Sequence, residues 1–319
     1  MPMNDLCAGP VIVDLSAPRL AAEDRERLRH PAVGGLIHFA RHYESPAQMT
    51  ALNDEIRALR PELLICVDHE GGRVQRFRDG FTSIPSMRAL GALGNLEPST
   101  GVDEARGVGR TIASELIAHG LDFSFTPVLD LDHGASSVIG NRSFHRDPHI
   151  VATLATALVE GLRERGMASV GKHFPGHGYI EADSHHEMPV DTRSMADIES
   201  DDLIPFARLI DAGLDAVMPA HVLYPAVDDQ PAGYSRVWLQ DVLRGQLRFD
   251  GLIFSDDLGM AGAKGAGSMR DRAALALAAG CDMVLVCNDL EGADALLDGW
   301  SIEPSPDLQR RIARMRAQR

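Results

Sequence analysis

The densest group of chemically reactive side chains lies between residues 172 and 186, in the stretch KHFPGHGYIEADSHH. It combines a lysine with several histidines and acidic residues. Pro175, Gly176 and Gly178 disfavour a helix through it, because proline removes a backbone donor and glycine favours non-helical dihedrals. The apolar segment 167–171 comes just before. The stretch is therefore predicted to be a loop that leaves the end of a buried strand.

Asp183 and His185 form the first candidate catalytic pair. Residues i and i+2 of an extended segment share a face, so the carboxylate can fix the tautomer of the imidazole and stabilise its protonated form. An imidazole with an ordinary pKa of about 6.5 can donate and accept a proton at neutral pH. The pair is a candidate general acid/base, and a structural loop hydrogen bond is the alternative.

Asp256 and Asp257 form the second candidate, at the end of the apolar segment GLIFSDD. A carboxylate at this position can act as a nucleophile or can stabilise a cationic transition state. Neighbouring side chains of an extended backbone point to opposite sides, so one of the two is expected to face the site. Spacing alone does not choose between them.

The same loop allows two other chemistries. Its histidines and Asp183 are zinc-ligand types, which would fit a metal-dependent hydrolase. His173 and His177 have i, i+4 spacing, but the intervening proline and glycine prevent the helix that would align them, so no metal is expected. Lys172 at a strand end is suited either to a Schiff base or to donating hydrogen bonds to substrate hydroxyls.

Eight short apolar segments recur along the chain with amphipathic stretches between them. Continuous apolarity, rather than strict alternation, is typical of strands covered on both faces, and such sheets are parallel. The segments cover residues 11–15, 34–39, 63–68, 121–131, 167–174, 214–221, 251–257 and 281–288.

The stretches between these segments carry helix boundary signals. Ser45-Pro46 and Asp147-Pro148 are predicted to begin helices. Gly120, Gly213 and Gly280 are predicted to end helices directly before an apolar segment.

This alternation predicts an α/β fold, a single-domain (β/α)8 TIM barrel that spans residues 1–319 with a C-terminal helical tail. A doubly wound sheet is the competing architecture, but no GxGxxG follows the first segment. In a barrel the active site lies where the strands end. The polar residues at the predicted strand ends are Asp14, His38, Asp68, Asp130, Lys172, His173, His221, Asp256, Asp257 and Asn288.

The composition excludes several classes of partner. The 319 residues carry a formal net charge of −15, which argues against nucleic acid and against an anionic membrane surface. No apolar stretch has the length of a membrane span or a signal peptide. The four cysteines are scattered, which disfavours disulfides and indicates a cytoplasmic protein. The basic stretch 310–319 is expected to be the solvated face of a helix.

Taken together, the motifs resemble those of glycoside hydrolase family 3, and within it the single-domain bacterial cytoplasmic β-N-acetylhexosaminidases of cell-wall recycling. The resemblance covers most of the chain, and KHFPGHG followed by DSHH is its most specific part. The matching stretches are VDHEGGRVQRF (67–77), IGNRSFHRDP (139–148), KHFPGHGYIEADSHHEMP (172–189), VMPAHVLYP (217–225) and IFSDDLGMAGA (253–263).

The resemblance implies a role for individual residues. Asp256 matches the nucleophile, His185 the histidine acid/base and Asp183 its dyad partner. The residues that match positions holding the hydroxyls of the terminal sugar are Asp68, Arg76, Arg142, Lys172 and His173, with Arg73 as a weaker candidate. Bidentate guanidinium and carboxylate contacts suit vicinal hydroxyls.

The resemblance also implies a reaction. It is retaining hydrolysis of a terminal β-linked N-acetylglucosamine from muropeptide fragments, the disaccharide with 1,6-anhydro-N-acetylmuramic acid with or without its peptide, through a covalent glycosyl-enzyme. No cofactor is expected, and the chain is expected to act as a monomer.

Three alternatives accompany this expectation. A phosphorylase is the nearest, because phosphate can replace water beside a histidine acid/base. The others are the metal-dependent barrel hydrolase and a non-catalytic sugar-binding regulator.

The sequence departs from the family pattern at two positions. His69 stands where glutamine is usual, and Gly259 where serine is usual. The histidine is expected to alter contacts with the sugar.

Overall fold

The computed structural model describes residues 8–180, 188–301 and 305–318. The predicted acid/base pair, Asp183 and His185, lies outside the described residues. His173, Asp256 and the residues predicted to hold the sugar lie within them.

Eight parallel strands form the centre of the described part of the chain, in the order β6-β3-β2-β1-β10-β9-β8-β7. Each of the predicted apolar segments overlaps one of them, and β2 begins one residue before its segment. The strands are β1 (Val11–Val13), β2 (Val33–His38), β3 (Leu64–Val67), β6 (Phe123–Ser124), β7 (Val170–Phe174), β8 (Ala216–Pro219), β9 (Leu252–Asp257) and β10 (Met283–Val286).

Backbone contacts between β6 and β7 close this sheet into a barrel. Val170 N donates to Thr126 O at 2.8 Å, and Leu129 N donates to Lys172 O at 2.7 Å. Parallel bridges join Phe123 to Ala168 and Val128 to Lys172. Strand β6 ends early because Pro127 has no N–H to continue the ladder. The closure excludes the doubly wound sheet and confirms the predicted (β/α)8 barrel.

Helices cover the outside of the barrel. Two predicted helix starts are confirmed: Ser45 accepts a hydrogen bond from Gln48 N, and Asp147 accepts one from His149 N, each directly before a proline. The described α-helices are α1 (Ala22–Arg29), α2 (Pro46–Leu59), α3 (Met87–Leu96), α4 (Pro98–Ala118), α5 (Pro148–Arg163), α6 (Met195–Glu199), α7 (Leu203–Asp211), α8 (Met269–Ala279), α9 (Leu290–Leu297) and α10 (Pro306–Arg314), and a π-helix, Val237–Gln246, lies between β8 and β9.

The glycines predicted to end helices follow α4, α7 and α8. Gly120, Gly213 and Gly280 have φ values of 87°, 85° and 124°. A side chain is strained in this left-handed region, so glycine allows the chain to turn there from each helix into the next strand.

Aromatic rings fill the inside of the barrel. Phe123, Phe125 and Phe254 pack on one another with ring centroids 5.2 to 5.5 Å apart. All three rings are fully buried. This packed interior is typical of TIM barrels and leaves the strand ends as the place for a site.

The short hairpin after β3 is not predicted from the sequence, whereas the C-terminal helix is. The antiparallel strands β4 (His69–Gly71) and β5 (Val74–Gln75) follow β3 and shape one wall above the barrel. The basic helix α10 is less solvated than expected, because Arg311 pairs with Asp282 at 2.7 Å and is 16% exposed. Among the described residues, no helix has the length and apolar character needed to cross a membrane.

Candidate active site

A cavity of about 670 Å3 opens at the carboxyl ends of the barrel strands. Its polar lining includes Asp68, Glu70, Arg73, Arg76, Arg142, Lys172, His173, His177, Asp256, Asp257 and Asn288. Every described residue predicted to touch the substrate is in this group. They come from separate strands and loops, and the barrel closure brings them to one place.

Two acids and three cations form the floor of the cavity. Lys172 Nζ donates to Asp68 Oδ1 and to a Glu70 carboxylate oxygen, each at 2.7 Å. Arg142 makes a bidentate contact with Glu70 at 2.7 and 2.8 Å. Arg76 reaches Asp68 at a longer distance of 3.5 Å. The groups hold one another in fixed positions, which prepares them to meet several hydroxyls at once.

The charges of this network keep its acids ionised. Burial alone would raise the pKa of Glu70, but Arg142 and Lys172 lower it well below its usual range. Burial and Glu70 oppose ionisation of Asp68, yet Lys172 and Arg76 hold the pKa of Asp68 below its ordinary value. The pKa of Lys172 is raised by its two acidic partners despite burial. Lys172 is thus a charged donor, which disfavours the Schiff base alternative because that chemistry needs a neutral amine.

Glu70 was not singled out from the sequence. It is two residues beyond Asp68, and residues two apart in an extended strand share a face. The i, i+2 spacing that pairs Asp183 with His185 in the sequence also pairs Asp68 with Glu70. Glu70 could therefore have been predicted from the sequence as a site residue.

A buried carboxylate supports the start of the histidine-rich loop. Asp130 Oδ2 lies 2.7 Å from His173 Nδ1, and Asp130 Oδ1 accepts the backbone N–H groups of His173 at 3.2 Å and His177 at 2.7 Å. Burial opposes ionisation of Asp130, but these contacts hold its pKa below the usual value. His173 lines the cavity and Asp130 does not. Asp130 therefore orients His173 from outside the cavity.

Asp256 and Asp257 both line the cavity, whereas only one was expected to do so. Asp256 Oδ1 accepts the N–H of Asp257 at 2.8 Å. The Asp257 carboxylate accepts the N–H of Gly259 at 2.8 Å and of Cys287 at 3.1 Å. Asp257 is therefore tied to the backbone of β10 and of its own turn.

Burial raises the pKa of Asp257 to about 7. A side chain at Gly259 would bring a Cβ to 2.9 Å from Cys287 O and 3.1 Å from Asp257 Oδ1. Glycine at this position leaves room for the tight turn that Asp257 holds together.

Two neutral histidines lie near Asp256. Burial lowers the pKa of both His177 and His221, and the negative charge of Asp256 opposes that shift only in part. His221 Nε2 contacts Asp257 O at 3.0 Å. These two rings, being neutral, place no positive charge beside the Asp256 carboxylate.

Several strand-end residues do not reach the cavity. His38 bonds to Asn53 Oδ1 at 2.7 Å inside the barrel wall, and Asp14 pairs with Arg41 and accepts the N–H of Asn288. His221 and Asp130 lie behind the residues that line the cavity. These groups support the neighbouring elements, which is the alternative role for a polar residue at a strand end.

The expectation for His69 is wrong. Its ring is fully buried and lies 5.9 and 5.8 Å from the rings of Phe77 and Phe81, away from the residues that line the cavity. Burial lowers its pKa to about 4. The departure from glutamine changes the core under the β4–β5 hairpin rather than a contact with substrate.

The flanks of the segment 181–187 meet each other. The Arg193 guanidinium lies 4.2 Å from the centre of the Tyr179 ring, and Arg193 is bonded by Asp191 and Asp202. The segment between these flanks carries Asp183 and His185 and lies outside the described residues. Among the described residues, the contact of Tyr179 with Arg193 joins the chain before this segment to the chain after it.

A barrel with an acid-rich and arginine-rich cavity at its strand ends suits an enzyme that binds a polar small molecule. Residues 9–315 match the family model described as the glycosyl hydrolase family 3 N terminal domain. The chain belongs to glycosyl hydrolase family 3.

Curated relatives give the class of enzyme within the family. A β-hexosaminidase of Chromobacterium violaceum is 60% identical over 312 residues, covering 98% of this chain and 87% of that relative. One from Bordetella avium is 59% identical over 298 residues, covering 93% and 85%. The chain is a glycoside hydrolase, a β-N-acetylhexosaminidase.

A solved structure agrees in fold. NagZ of Neisseria gonorrhoeae, in complex with N-trifluoroacetyl-D-glucosamine, superposes with a TM-score of 0.93 at 50% identity and covers 98% of this chain and 91% of that chain.

Proposed function

We propose that this enzyme removes terminal β-linked N-acetylglucosamine from muropeptide fragments with retention of configuration, through a covalent glycosyl-enzyme on Asp256. One observation carries the proposal. The barrel brings Asp256 into the same cavity as Asp68, Arg142, Lys172 and His173, which are the residues that the family resemblance assigns to the sugar.

The floor of the cavity suits a sugar held by several hydroxyls. Asp68 offers charged acceptor oxygens, and Lys172 and Arg142 offer charged donors. Their mutual bonds fix them before substrate arrives, so little ordering entropy is lost on binding. Arg73 and Arg76 line the same cavity, and we assign them to further contacts with the hydroxyls of the sugar.

The chemical steps use one carboxylate and one imidazole. Asp256 attacks the anomeric carbon while His185, oriented by Asp183, protonates the leaving oxygen. The same imidazole then takes a proton from water, and the water attacks to release the sugar. Asp257 holds the backbone on both sides of this position through Gly259 and Cys287, which keeps the nucleophile fixed.

The substrate class follows from the relatives and the motifs. The Neisseria gonorrhoeae relative binds an N-acylated glucosamine analogue, which supports an N-acetylglucosamine in the cavity. The motif resemblance extends this to the disaccharide with 1,6-anhydro-N-acetylmuramic acid, with or without peptide, in cytoplasmic cell-wall recycling. We propose a monomer that needs no cofactor.

Product analysis tests the proposal. An aryl β-N-acetylglucosaminide is incubated with the enzyme in buffer with phosphate, without phosphate and with EDTA, and the sugar released is followed by proton NMR. The β-anomer of the free sugar is expected first under all three conditions. Sugar-1-phosphate would identify a phosphorylase, and the α-anomer first would exclude the covalent intermediate. Activity lost to EDTA and restored by zinc would identify a metal-dependent hydrolase.

A further inference from the structure

A second polar cluster lies outside the cavity, where the loop after β6 meets the start of α7. His133 Nε2 is 3.5 Å from Asp202 Oδ1 and 3.9 Å from Asp201 Oδ2. One ligand-type atom from each residue lies within 4.8 Å of the other two.

Two atoms of this cluster are buried without a partner. Asp202 is 1% exposed, and within the described part of the chain its Oδ1 has no hydrogen-bond partner. The same holds for Nε2 of His133, whose side chain is 8% exposed. Leaving buried polar atoms unsatisfied is costly. A carboxylate oxygen and an imidazole nitrogen that face each other in this state point to a ligand between them.

The spacing matches a tetrahedral metal ion. Zinc binds histidine nitrogen and carboxylate oxygen at roughly 2.0 to 2.2 Å. Two such ligands in a tetrahedron then lie roughly 3.3 to 3.6 Å apart. The 3.5 Å separation falls in this range, and the 3.9 Å separation needs only a small shift of Asp201.

The surroundings favour a cation. Arg146 makes a bidentate contact with Asp201 at 2.9 and 2.8 Å, and Arg193 donates to Asp202 Oδ2 at 2.5 Å. Ligating carboxylates are commonly hydrogen-bonded in this way by a second layer of residues. Asp191 is the third acid of the group, and it pairs with Arg193 at 2.6 Å. The three carboxylates and the two guanidinium groups together have a net charge of −1 before any ion binds.

We propose that His133, Asp201 and Asp202 bind a divalent transition-metal ion, with zinc as the preferred ion, in a structural site that is separate from the catalytic cavity. The ion would join the loop after β6 to the start of α7. That loop continues to Ser137 and Val138, which line the cavity. The expected effect of the metal is a more stable enzyme rather than a new reaction, so the proposal does not depend on the proposed substrate.

The competing explanation is a proton. A protonated His133 would satisfy both acids without a metal. Zinc could also bind to the histidines of residues 181–187, because their side-chain types are zinc ligands. The experiment must therefore distinguish zinc bound at the cluster from a protonated His133 and from zinc bound by the histidines of residues 181–187.

Zinc affinity is therefore measured by competition with a chromophoric chelator on the full chain that carries Asp183→Ala, His185→Ala and His186→Ala. One zinc ion per chain is expected, together with a higher Tm when zinc is added. In the same background, His133→Ala and Asp201→Asn should each weaken binding by at least about tenfold. His149→Ala removes an exposed imidazole that is not part of the cluster and should change nothing.

Circular dichroism confirms that each variant is folded, and Asp201→Asn decides the outcome if His133→Ala fails to fold. Zinc affinity that is unchanged in both variants would overturn the proposal. The proposal would also be overturned if the background chain bound no zinc and its Tm fell with rising pH only while His133 was present. That result would show that a protonated His133, rather than a metal ion, pairs with the two acids.

Discussion

Replacing Glu70 by alanine is expected to damage both stability and activity, although Glu70 has no assigned part in the chemical steps. Its carboxylate is 1% exposed and accepts hydrogen bonds from Arg142 and Lys172 at 2.7 to 2.8 Å. The alanine variant leaves two cations that lose this partner, and among the described residues only Lys172 keeps an ion pair with an acid, Asp68.

The size of the effect follows from this arrangement. Removing one partner of a buried ion pair costs about 3 to 5 kcal/mol, because the remaining charge is left without compensation. For a chain of this length each kcal/mol lowers the Tm by about 2 °C, so the loss should be roughly 6 to 10 °C. Displacing Arg142 and Lys172 by about 1 Å should lower kcat/KM by about 10²-fold.

Differential scanning calorimetry and turnover of an aryl β-N-acetylglucosaminide measure the two effects. Glu70→Gln keeps one acceptor oxygen and loses the charge, so its values should fall between those of wild type and Glu70→Ala. Glu160→Ala is the matched control. It breaks an ion pair with Arg106 in which the side chains are 42% and 35% exposed, and such pairs contribute at most about 1 kcal/mol.

The reasoning would be refuted if Glu70→Ala and Glu160→Ala lowered the Tm equally. It would also fail if Glu70→Ala kept the kcat/KM of wild type, because the network would then have no part in holding the substrate.

Three further variants test other parts of the structure. The pKa of His69 is about 4 in the folded protein and about 6.5 when unfolded. The unfolded chain therefore binds the extra proton between these values, and stability falls as pH drops through them. His69→Gln should reduce the loss of urea-unfolding stability between pH ~7 and ~5, and a curve parallel to that of wild type would contradict this. The pKa of Asp257 is raised to about 7, so its buried charge costs stability as pH rises toward and past that value. Asp257→Asn should therefore have a higher Tm than wild type at pH ~8, and this difference in Tm should close toward pH ~4. A difference in Tm that does not depend on pH would count against the raised pKa. A Cβ at Gly178 would lie 1.8 Å from Leu131 O, whereas one at Gly107 meets nothing within 4 Å. Gly178→Ala should lower kcat/KM by at least about tenfold, and the control Gly107→Ala should not. Equal activities of the two variants would show that the loop has room to adjust.

The fold was predictable because the buried strands of a parallel barrel appear in the sequence as short apolar segments that alternate with amphipathic stretches. Each of the apolar segments became a strand, and Ser45 and Asp147 cap helices where the proline after each indicated. The β4–β5 hairpin was missed because its strands are too short for a periodic signal. Strand β6 fills little of its apolar segment because Pro127 interrupts the ladder.

The site was predictable in its members but not in its contacts. The motifs placed Asp68, Lys172 and Asp256 at strand ends, and the cavity holds all three. The position of His69 was not predictable, because a register of one residue decides whether a side chain faces the cavity or the core. The pairing of Glu70 with Arg142 joins residues 72 apart in sequence, and no local pattern reports such a contact.

The most direct test of the account is the site of covalent attachment. The enzyme is mixed with an activated β-N-acetylglucosaminide, quenched with acid before steady state and digested, and the peptides are analysed by mass spectrometry. The account predicts one N-acetylglucosaminyl adduct on the peptide that contains Asp256, absent from Asp256→Ala and unchanged in Asp257→Asn. An adduct on another residue, or an adduct that persists in Asp256→Ala, would contradict the assignment of the nucleophile and the mechanism built on it.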